Sequence, residues 1–143
     1  MVVNIWTDGS IEGGNPGGHG VGGYVIKGLS SAPIEGTVDL GKSPTMTNNI
    51  AEYSAVIGAL EEALNEAYDR DIIPEKLVVH SDSKLVVEQC SDRWQCNNGT
   101  LRRLREQIWN LCEMFSLSEV EFKWIPRAEN TEADEVSRSL YKP

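Results

Sequence analysis

The order in which strand-like and helix-like segments follow one another is the feature that most constrains the fold of this chain. Three N-terminal segments, residues 2–8, 22–27 and 35–40, carry the alternation and the β-branched residues typical of strands. Further along, strand-like residues 77–82 and 120–125 alternate with segments of helical periodicity. An antiparallel meander followed by such alternation predicts an α/β fold with a mixed, five-stranded central sheet and helices packed on it.

The predicted helices complete this order. Apolar residues recur at helical spacing over residues 50–67 and 101–115, and shorter helices are expected after Ser83 and from about Thr131. There is no internal repeat and no low-complexity linker, and 143 residues suffice for one domain with a sizeable core. We therefore expect residues 1–143 to form a single domain.

Four acidic residues fall at the ends of these predicted elements. Asp8 and Asp82 are placed at the carboxyl ends of strands, where open α/β sheets favour ligand sites. Glu52 and Asp134 are placed in the first turns of helices, and Asn49 with Glu52 is spaced as in a capping box. If the two strands are parallel neighbours, all four carboxylates converge on one edge of the sheet.

Carboxylates gathered in this way repel one another unless cations neutralise them. Oxygen ligands without a set of Cys or His favour Mg²⁺ or Mn²⁺ over zinc, and a pair of such ions supports phosphodiester hydrolysis. Taken singly, each acid also has an ordinary structural interpretation as a turn residue, a cap or a partner of a helix N-terminus. We expect a metal site because the four occur together. Calcium binding by a structural protein is the weaker alternative, since the sequence has no EF-hand loop.

Charge and composition narrow the classes of function. The net charge of −9 argues against an unspecialised electrostatic DNA binder. Residues 1–75 carry 11 acids and 3 bases, whereas residues 76–143 carry 11 acids and 10 bases, so a polyanion is expected to approach the C-terminal half near Arg102, Arg103 and Arg105. A solvated helix face is the alternative for these arginines.

Three cysteines without CxxC spacing predict free thiols and a cytoplasmic location. No apolar run is long enough to span a bilayer, and the first residues carry no basic region of a signal peptide. We expect no membrane association and no organic cofactor, and we expect the protein to be a monomer.

The ordered motifs resemble the type 1 ribonuclease H family over nearly the whole chain. The matching pieces are Thr7-Asp8-Gly9-Ser10 with Gly14-Asn15-Pro16-Gly17, Thr47-Asn48-Asn49 leading to Glu52, Ser81-Asp82-Ser83, and residues 130–138. The resemblance implies a five-stranded mixed sheet with helices on both faces. It also implies endonucleolytic hydrolysis of the RNA strand of RNA–DNA hybrids by a mechanism that uses two divalent metal ions.

By this resemblance, Asp8, Glu52, Asp82 and Asp134 are expected to be catalytic metal ligands, with Mg²⁺ as the ion and Mn²⁺ as a possible substitute. Contacts to the hybrid are expected from eight further residues, which read the groove or hold phosphates: Gly9, Ser10, Asn15, Thr47, Asn48, Asn49, Lys84 and Arg127.

The chain departs from the family pattern at three places. The loop over residues 125–130 has no histidine where bacterial members carry a Gly-His pair, and Arg127 is a candidate to hold a phosphate in its place. Residues 90–99 are short and nearly neutral where many members have a basic protrusion. Lys84 replaces a usual glutamine and suits a phosphate better than a base edge.

Two other functions remain open from the sequence. One is a nucleic-acid-binding protein of the same fold with weak or lost catalysis. The other is a different nuclease of the wider superfamily, such as a DNA nuclease, an integrase-like enzyme or a 3′–5′ exonuclease. The intact acidic quartet argues against the first, and Asn15 with Asn48 and Asn49 argues against the second, because short amides can reach 2′-hydroxyls.

Overall fold

The computed structural model describes residues 1–141. Five strands form one sheet: β1 (Val2–Glu12), β2 (His19–Lys27), β3 (Ile34–Lys42), β4 (Lys76–Ser81) and β5 (Glu119–Trp124). Four α-helices accompany them: α1 (Asn48–Asp69), α2 (Lys84–Cys90), α3 (Gly99–Met114) and α4 (Thr131–Arg138). Short 3-10 turns lie on either side of α4, at Arg127–Glu129 and Ser139–Tyr141.

The sheet is mixed, as the element order predicts. Its strands lie in the order β3-β2-β1-β4-β5. The first three are antiparallel neighbours, while β4 runs parallel to both β1 and β5. The α/β class, the five-stranded mixed sheet and the antiparallel meander are therefore confirmed.

Helices cover both faces of the sheet where β1 and β2 lie. Gly22 and Gly23 are adjacent on β2 and point to opposite faces. A Cβ on Gly22 would meet the backbone of Ala55 in α1 at 2.8 Å, and a Cβ on Gly23 would meet that of Ser137 in α4 at 2.4 Å. The two glycines therefore let a helix lie against each face at backbone distance. The main apolar core lies between the sheet and α1, and it extends to α3 through Ile108.

Strand β1 is longer than the sequence predicts. Its alternating segment ends at Asp8, yet the strand continues to Glu12 because β2 remains hydrogen-bonded to it up to the pair Glu12 and His19. Asp8 therefore lies inside β1, and the expectation that it ends the strand is wrong. What does end there is the parallel pairing with β4, whose last pair is Thr7 and Ser81.

Helix α1 begins earlier than its capping-box spacing suggests. Thr47 is the N-cap, and its hydroxyl accepts a hydrogen bond from the amide of Ile50 at 3.2 Å. Glu52 consequently falls in the second turn of α1. The predictions that it lies in the first turn and that it forms a capping box with Asn49 are therefore wrong. The cap of α2 is as expected, because Ser83 accepts from the amide of Val86 at 3.3 Å.

Within residues 1–141 no helix is both long and apolar enough to cross a membrane. Cys90, Cys96 and Cys112 are free thiols, as their spacing predicts.

Candidate metal centre

Three carboxylates meet at the edge where β4 leaves β1. Asp8 follows the last residue of β1 that pairs with β4, and Asp82 follows the last residue of β4 itself. Glu52 reaches the same point from α1. One carboxylate oxygen from each of the three lies within 4.8 Å of the others, and they are the only such cluster of three or more metal-ligating side chains in residues 1–141.

Gly9 allows Glu52 to come this close. Side chains alternate along a strand, so Gly9 faces α1 while Asp8 faces the opposite side. A Cβ on Gly9 would lie 2.3 Å from the backbone nitrogen of Glu52 and 2.5 Å from the carbonyl carbon of Ala51. The missing side chain therefore lets α1 approach β1 closely enough to bring Glu52 beside Asp8.

The fourth carboxylate lines the same cavity but is held by an arginine. Asp134 lies in the first turn of α4, as predicted, and its Oδ1 accepts a hydrogen bond of 2.9 Å from Nε of Arg138 one turn later. Partial burial alone would raise the pKa of Asp134, but the hydrogen bonds from Arg138 and Asp8 and the positive charges of Arg138 and Arg127 together outweigh it, so the net shift is downward. The cavity has a volume of about 300 Å³ and is lined by all four acids together with Arg127 and Arg138.

The buried pair carries electrostatic strain. Burial, followed by the charge of Asp82, raises the pKa of Asp8 to about 8. Burial and the nearby Asp8 also hold the pKa of Glu52 well above its ordinary value. Oε2 of Glu52 is buried and has no hydrogen-bond partner among the residues that the structure describes. A divalent cation would neutralise this repulsion and give that oxygen a ligand bond, so the residues present fit a metal with hard oxygen ligands.

Sequence reasoning missed Asn130 as a member of the site. The residue is almost fully buried, and its Nδ2 donates to the carbonyl of Thr7 at 2.8 Å and to Oδ2 of Asp82 at 3.3 Å. It therefore fixes the Asp82 carboxylate against β1. Asn130 immediately precedes α4, but its side chain makes no capping bond to that helix.

Arg138 was also missed. Its spacing of four from Asp134 on one helix is a sequence signal for an ion pair, and that pair is present. The spacing does not reveal that the pair faces the carboxylate cavity, because that depends on how α4 packs on β1 and β2.

The substrate-binding residues predicted in β1 and in the loop after it make different contacts. Gly9 and Ser10 line the cavity, but the Ser10 hydroxyl is buried and donates to the carbonyl of Ser137 at 3.0 Å, which ties β1 to α4. Oδ1 of Asn15 accepts a bond of 3.2 Å from the backbone amide of Asn48, so the loop after β1 is attached to the start of α1.

The remaining predicted contacts surround the cavity. Asn48 lines it, while Thr47 caps α1 and Asn49 is exposed beside it. Arg127 lines the cavity from the turn before α4. Lys84 is exposed and does not line it.

Lys84 lies over Trp124, a residue that is hydrogen-bonded to the metal centre. Its ammonium lies 5.7 Å from the centroid of the Trp124 ring. The indole of Trp124 is 44% exposed and donates from Nε1 to the carbonyl of Asp82 at 3.2 Å. Lys84 and Trp124 thus form a continuous exposed surface next to Asp82.

A protein-family model described as "Reverse transcriptase-like" matches residues 21–140. The Bifunctional protein Rv2228c of Mycobacterium tuberculosis is 36% identical over 138 residues, which are 96% of this chain and 35% of that protein. The chain therefore spans about a third of the length of this curated relative.

Solved structures give matches over whole chains. The N-terminal RNase H domain of Rv2228c from M. tuberculosis, solved as a fusion with maltose binding protein, is 32% identical with a TM-score of 0.77, and the match covers 97% of this chain and 98% of that one. LC11-RNase H1, solved in complex with an RNA/DNA hybrid, is 29% identical with a TM-score of 0.81, and the match covers 96% and 94%. The chain belongs to the type 1 ribonuclease H family, within the reverse-transcriptase-like group.

Proposed function

We propose that this protein is an endoribonuclease that hydrolyses the RNA strand of RNA–DNA hybrids with divalent metal ions held by Asp8, Glu52, Asp82 and Asp134. The observation that carries this function is the convergence of three carboxylates within 4.8 Å at the sheet edge of a ribonuclease H fold. The complex of LC11-RNase H1 with an RNA/DNA hybrid supports the class of substrate.

Mg²⁺ is the proposed ion, with Mn²⁺ as a substitute, because every side chain in the cluster offers oxygen. When two such ions are bound, they supply the activation of a water molecule and the stabilisation of the leaving oxygen at a phosphodiester. No nucleophilic side chain and no organic cofactor is required for this chemistry.

The chain's own residues position and balance this centre. Asn130 holds the Asp82 carboxylate in place through its bond of 3.3 Å. The arginines Arg127 and Arg138 line the cavity and place positive charge where a phosphate of the RNA strand would enter. Since Arg138 occupies Oδ1 of Asp134, that carboxylate keeps Oδ2 for a metal ion or must release the arginine when substrate binds.

Strand selection is assigned to the loop after β1 and the start of α1. The bond from the Asn48 amide to Asn15 fixes the two segments relative to each other. The side-chain amide nitrogen of Asn15 and the amides of Asn48 and Asn49 are short polar groups that can reach 2′-hydroxyls in the wide minor groove of a hybrid. They would thereby distinguish RNA from DNA in the cleaved strand.

Binding of the DNA strand is assigned to the less acidic C-terminal half of the chain, residues 76–143. Of the three arginines on α3, Arg105 is committed internally, since its guanidinium lies 4.2 Å from the Trp109 ring. Nε of Arg102 donates to the carbonyl of Cys96 at 3.1 Å. Arg103 is exposed, and among the described residues its side chain hydrogen-bonds to Thr100 alone, so it is the arginine proposed to meet a phosphate.

Cleavage of matched duplexes tests the function. Purified protein is incubated with RNA–DNA, RNA–RNA and DNA–DNA duplexes of one sequence in Mg²⁺, in Mn²⁺ and in EDTA, with Asp82→Asn as the matched control. We expect internal cleavage of the RNA strand in the hybrid alone, dependent on the metal and absent in the variant. Hybrid binding without cleavage would replace the proposed function by a binding role, and cleavage of DNA–DNA would point to another nuclease of the superfamily. Light scattering on the same sample tests the expected monomer.

A further inference from the structure

An apolar groove lies at the end of the sheet opposite the metal centre. Helix α1 runs from Glu52 at the centre to Tyr68 at the groove, a distance of about 24 Å at 1.5 Å per residue. The groove has a volume of about 560 Å³ and is formed by the C-terminal turns of α1 and α3 with the loops that follow them, residues 71–74 and 115–118. It shares no residue with the carboxylate cavity.

The groove is apolar at its floor and, unusually, at its rim. Ala67 and Phe115 are buried at the floor. Four large side chains of the lining stand in solvent: Tyr68 is 86% exposed, Ile73 66%, Met114 63% and Leu117 74%. Single exposed apolar residues are common, but four around one concave surface mark a binding site.

The two loops are held in place by hydrogen bonds, so the groove is preformed. The amide of Ile72 donates to the carbonyl of Ala67 at 2.9 Å, which folds the first loop against α1. The Ser118 hydroxyl donates to the carbonyl of Pro74 at 2.5 Å and joins the second loop to the first. A partner would therefore meet ordered walls and would not have to order them on binding.

The charge around the groove indicates which kind of partner can bind there. Residues 66–76 and 113–119 contain six acids and two bases, for a net charge of −4. Both bases are already paired: Arg70 with Glu66 at 3.0 Å, and Lys76 with Glu121 at 2.9 Å. The acids Asp69, Asp71 and Glu113 are exposed and make no ion pair among the described residues.

This charge excludes several occupants. Nucleic acid and anionic lipid would be repelled by the acidic rim. A second copy docked by the same face would place −4 against −4, since a two-fold interface uses one patch on both subunits. A cationic amphipathic segment satisfies both features, because its apolar face fills the groove and its Lys and Arg side chains meet the rim.

We propose that the groove between the C-terminal ends of α1 and α3 is a docking surface for a basic, amphipathic segment of a partner protein. Docking there lies away from the metal centre and leaves the hybrid-binding edge of the sheet free. The groove would thus attach the protein to a partner while its proposed substrate is engaged at the other end.

A defined peptide tests this surface with the full chain. The probe is a fluorescent 14-residue helix with Leu on one face and Lys on the other; a Leu/Glu peptide of the same pattern and a Lys/Ser peptide serve as controls. Anisotropy gives the affinities, and amide chemical shifts of the ¹⁵N-labelled protein give the location. We expect binding of the Leu/Lys peptide alone, weakened by salt, with shifts confined to residues 64–75 and 113–119.

Two variants decide whether the groove is responsible. We expect Ile73→Ser combined with Leu117→Ser to weaken binding at least about tenfold, because two anchors lose their apolar contacts. The matched control Leu140→Ser, an exposed leucine outside the groove, should leave the affinity unchanged. Equal binding of the Leu/Glu peptide, or shifts centred on Asp8 and Asp82, would overturn the inference. The inference would also be overturned if the unmodified protein formed a dimer and the double variant were a monomer.

Hybrid cleavage by the double variant separates this surface from the proposed function. Because neither residue lies near the carboxylates, the cleavage rate should equal that of the unmodified protein. If the unmodified protein itself cleaves no hybrid, the proposed function fails while the peptide result stands or falls independently.

Discussion

Both ends of the central sheet are acidic, but the acids at the two ends are in opposite physical states. At the metal centre, Asp8 and Glu52 are buried side by side, and their pKa values are raised. Toward the groove end of the sheet, Glu121 of β5 is exposed, and hydrogen bonding to Lys76 lowers its pKa. Burial and neighbouring charge, and not the number of acids, thus decide which end requires a cation.

The same contrast separates chemistry from recognition. Strained, desolvated carboxylates gain most when a metal ion binds them, whereas exposed carboxylates act at longer range on the charge of an approaching partner. Substitutions at the metal centre can be compared with control substitutions elsewhere in the chain, starting with the largest expected effect.

Removing one charge at each end should have very different effects on activity. We expect Asp8→Asn to lower hybrid cleavage by at least ~10³-fold, because a metal ligand worth several kcal/mol in the transition state is lost. Glu75→Gln at the groove end should leave the rate unchanged. Cleavage assays in Mg²⁺, with circular dichroism to verify folding, measure both. Retained Mg²⁺-dependent cleavage by Asp8→Asn would remove the basis of the proposed metal site.

Gly9→Ala tests the close packing that places Glu52 in the centre. An added Cβ would lie 2.3 Å from the backbone of α1. We expect the free energy of unfolding to fall by about 3 kcal/mol, at the upper end of overpacking costs, because backbone has to move. Urea denaturation measures it, with Gly99→Ala as control, since a Cβ there meets no atom within 4 Å. Equal losses in both variants would contradict the packing role of Gly9.

The raised pKa of Asp8 predicts a pH-dependent stability without metal. An unfolded aspartate titrates near its ordinary pKa, whereas folded Asp8 holds its proton up to about pH 8. Between these values the folded state binds more protons, so in EDTA the free energy of unfolding should fall as pH rises and level off above about pH 8. Asp8→Asn should reduce this slope and be more stable than the unmodified protein at pH 8, because the uncharged amide avoids the cost of a buried charge.

Thermal denaturation across pH 4–9 checks this expectation. Glu75→Gln is the matched control from the other end, and its pH profile should follow that of the unmodified protein. Addition of Mg²⁺ should stabilise the unmodified protein and have less effect on Asp8→Asn. If the stability difference between Asp8→Asn and the unmodified protein does not grow as pH rises in EDTA, Asp8 is not held protonated.

The smallest expected effect concerns the arginines. Arg127 lines the metal cavity, whereas Arg70 is paired with Glu66 near the groove. We expect Arg127→Ala to reduce the multiple-turnover rate about threefold through loss of an exposed phosphate contact, and Arg70→Ala to change nothing. Comparison with single-turnover rates locates the effect at binding, chemistry or product release. An unchanged turnover rate would exclude Arg127 from the mechanism.

The sequence predicts elements well where the signal is local and fails where it depends on a distant partner. Periodicity and Ser83 predict α2 because the cap and the helix are contiguous in the chain. The predicted end of β1 is wrong because its last four residues form a strand through hydrogen bonds to β2, which their own sequence pattern does not reveal. Glu52 joins the carboxylate cluster, but from the second turn of α1 and not from the first, since Thr47 and not Asn49 caps the helix.

The same limit explains which site residues were missed. Asn130 acts on Thr7 and Asp82, which lie 123 and 48 residues away. Arg138 faces the cavity only because α4 packs on β1 and β2. Asp82 and Asp134 were accessible to prediction because they lie beside element ends that a pattern can locate, whereas supporting residues are recognised only from their three-dimensional partners.

The pairing of strand β1 with its two neighbours sets the position of the metal centre. Asp8 is set opposite Gly23 on one side, and the preceding residue opposite Ser81 on the other, so two independent ladders fix its position along the edge. A shift of one residue would turn the Asp8 side chain toward α1. Insertions or deletions between Val2 and Asp8 should therefore be forbidden, which makes the length of this segment a fixed dimension of the fold.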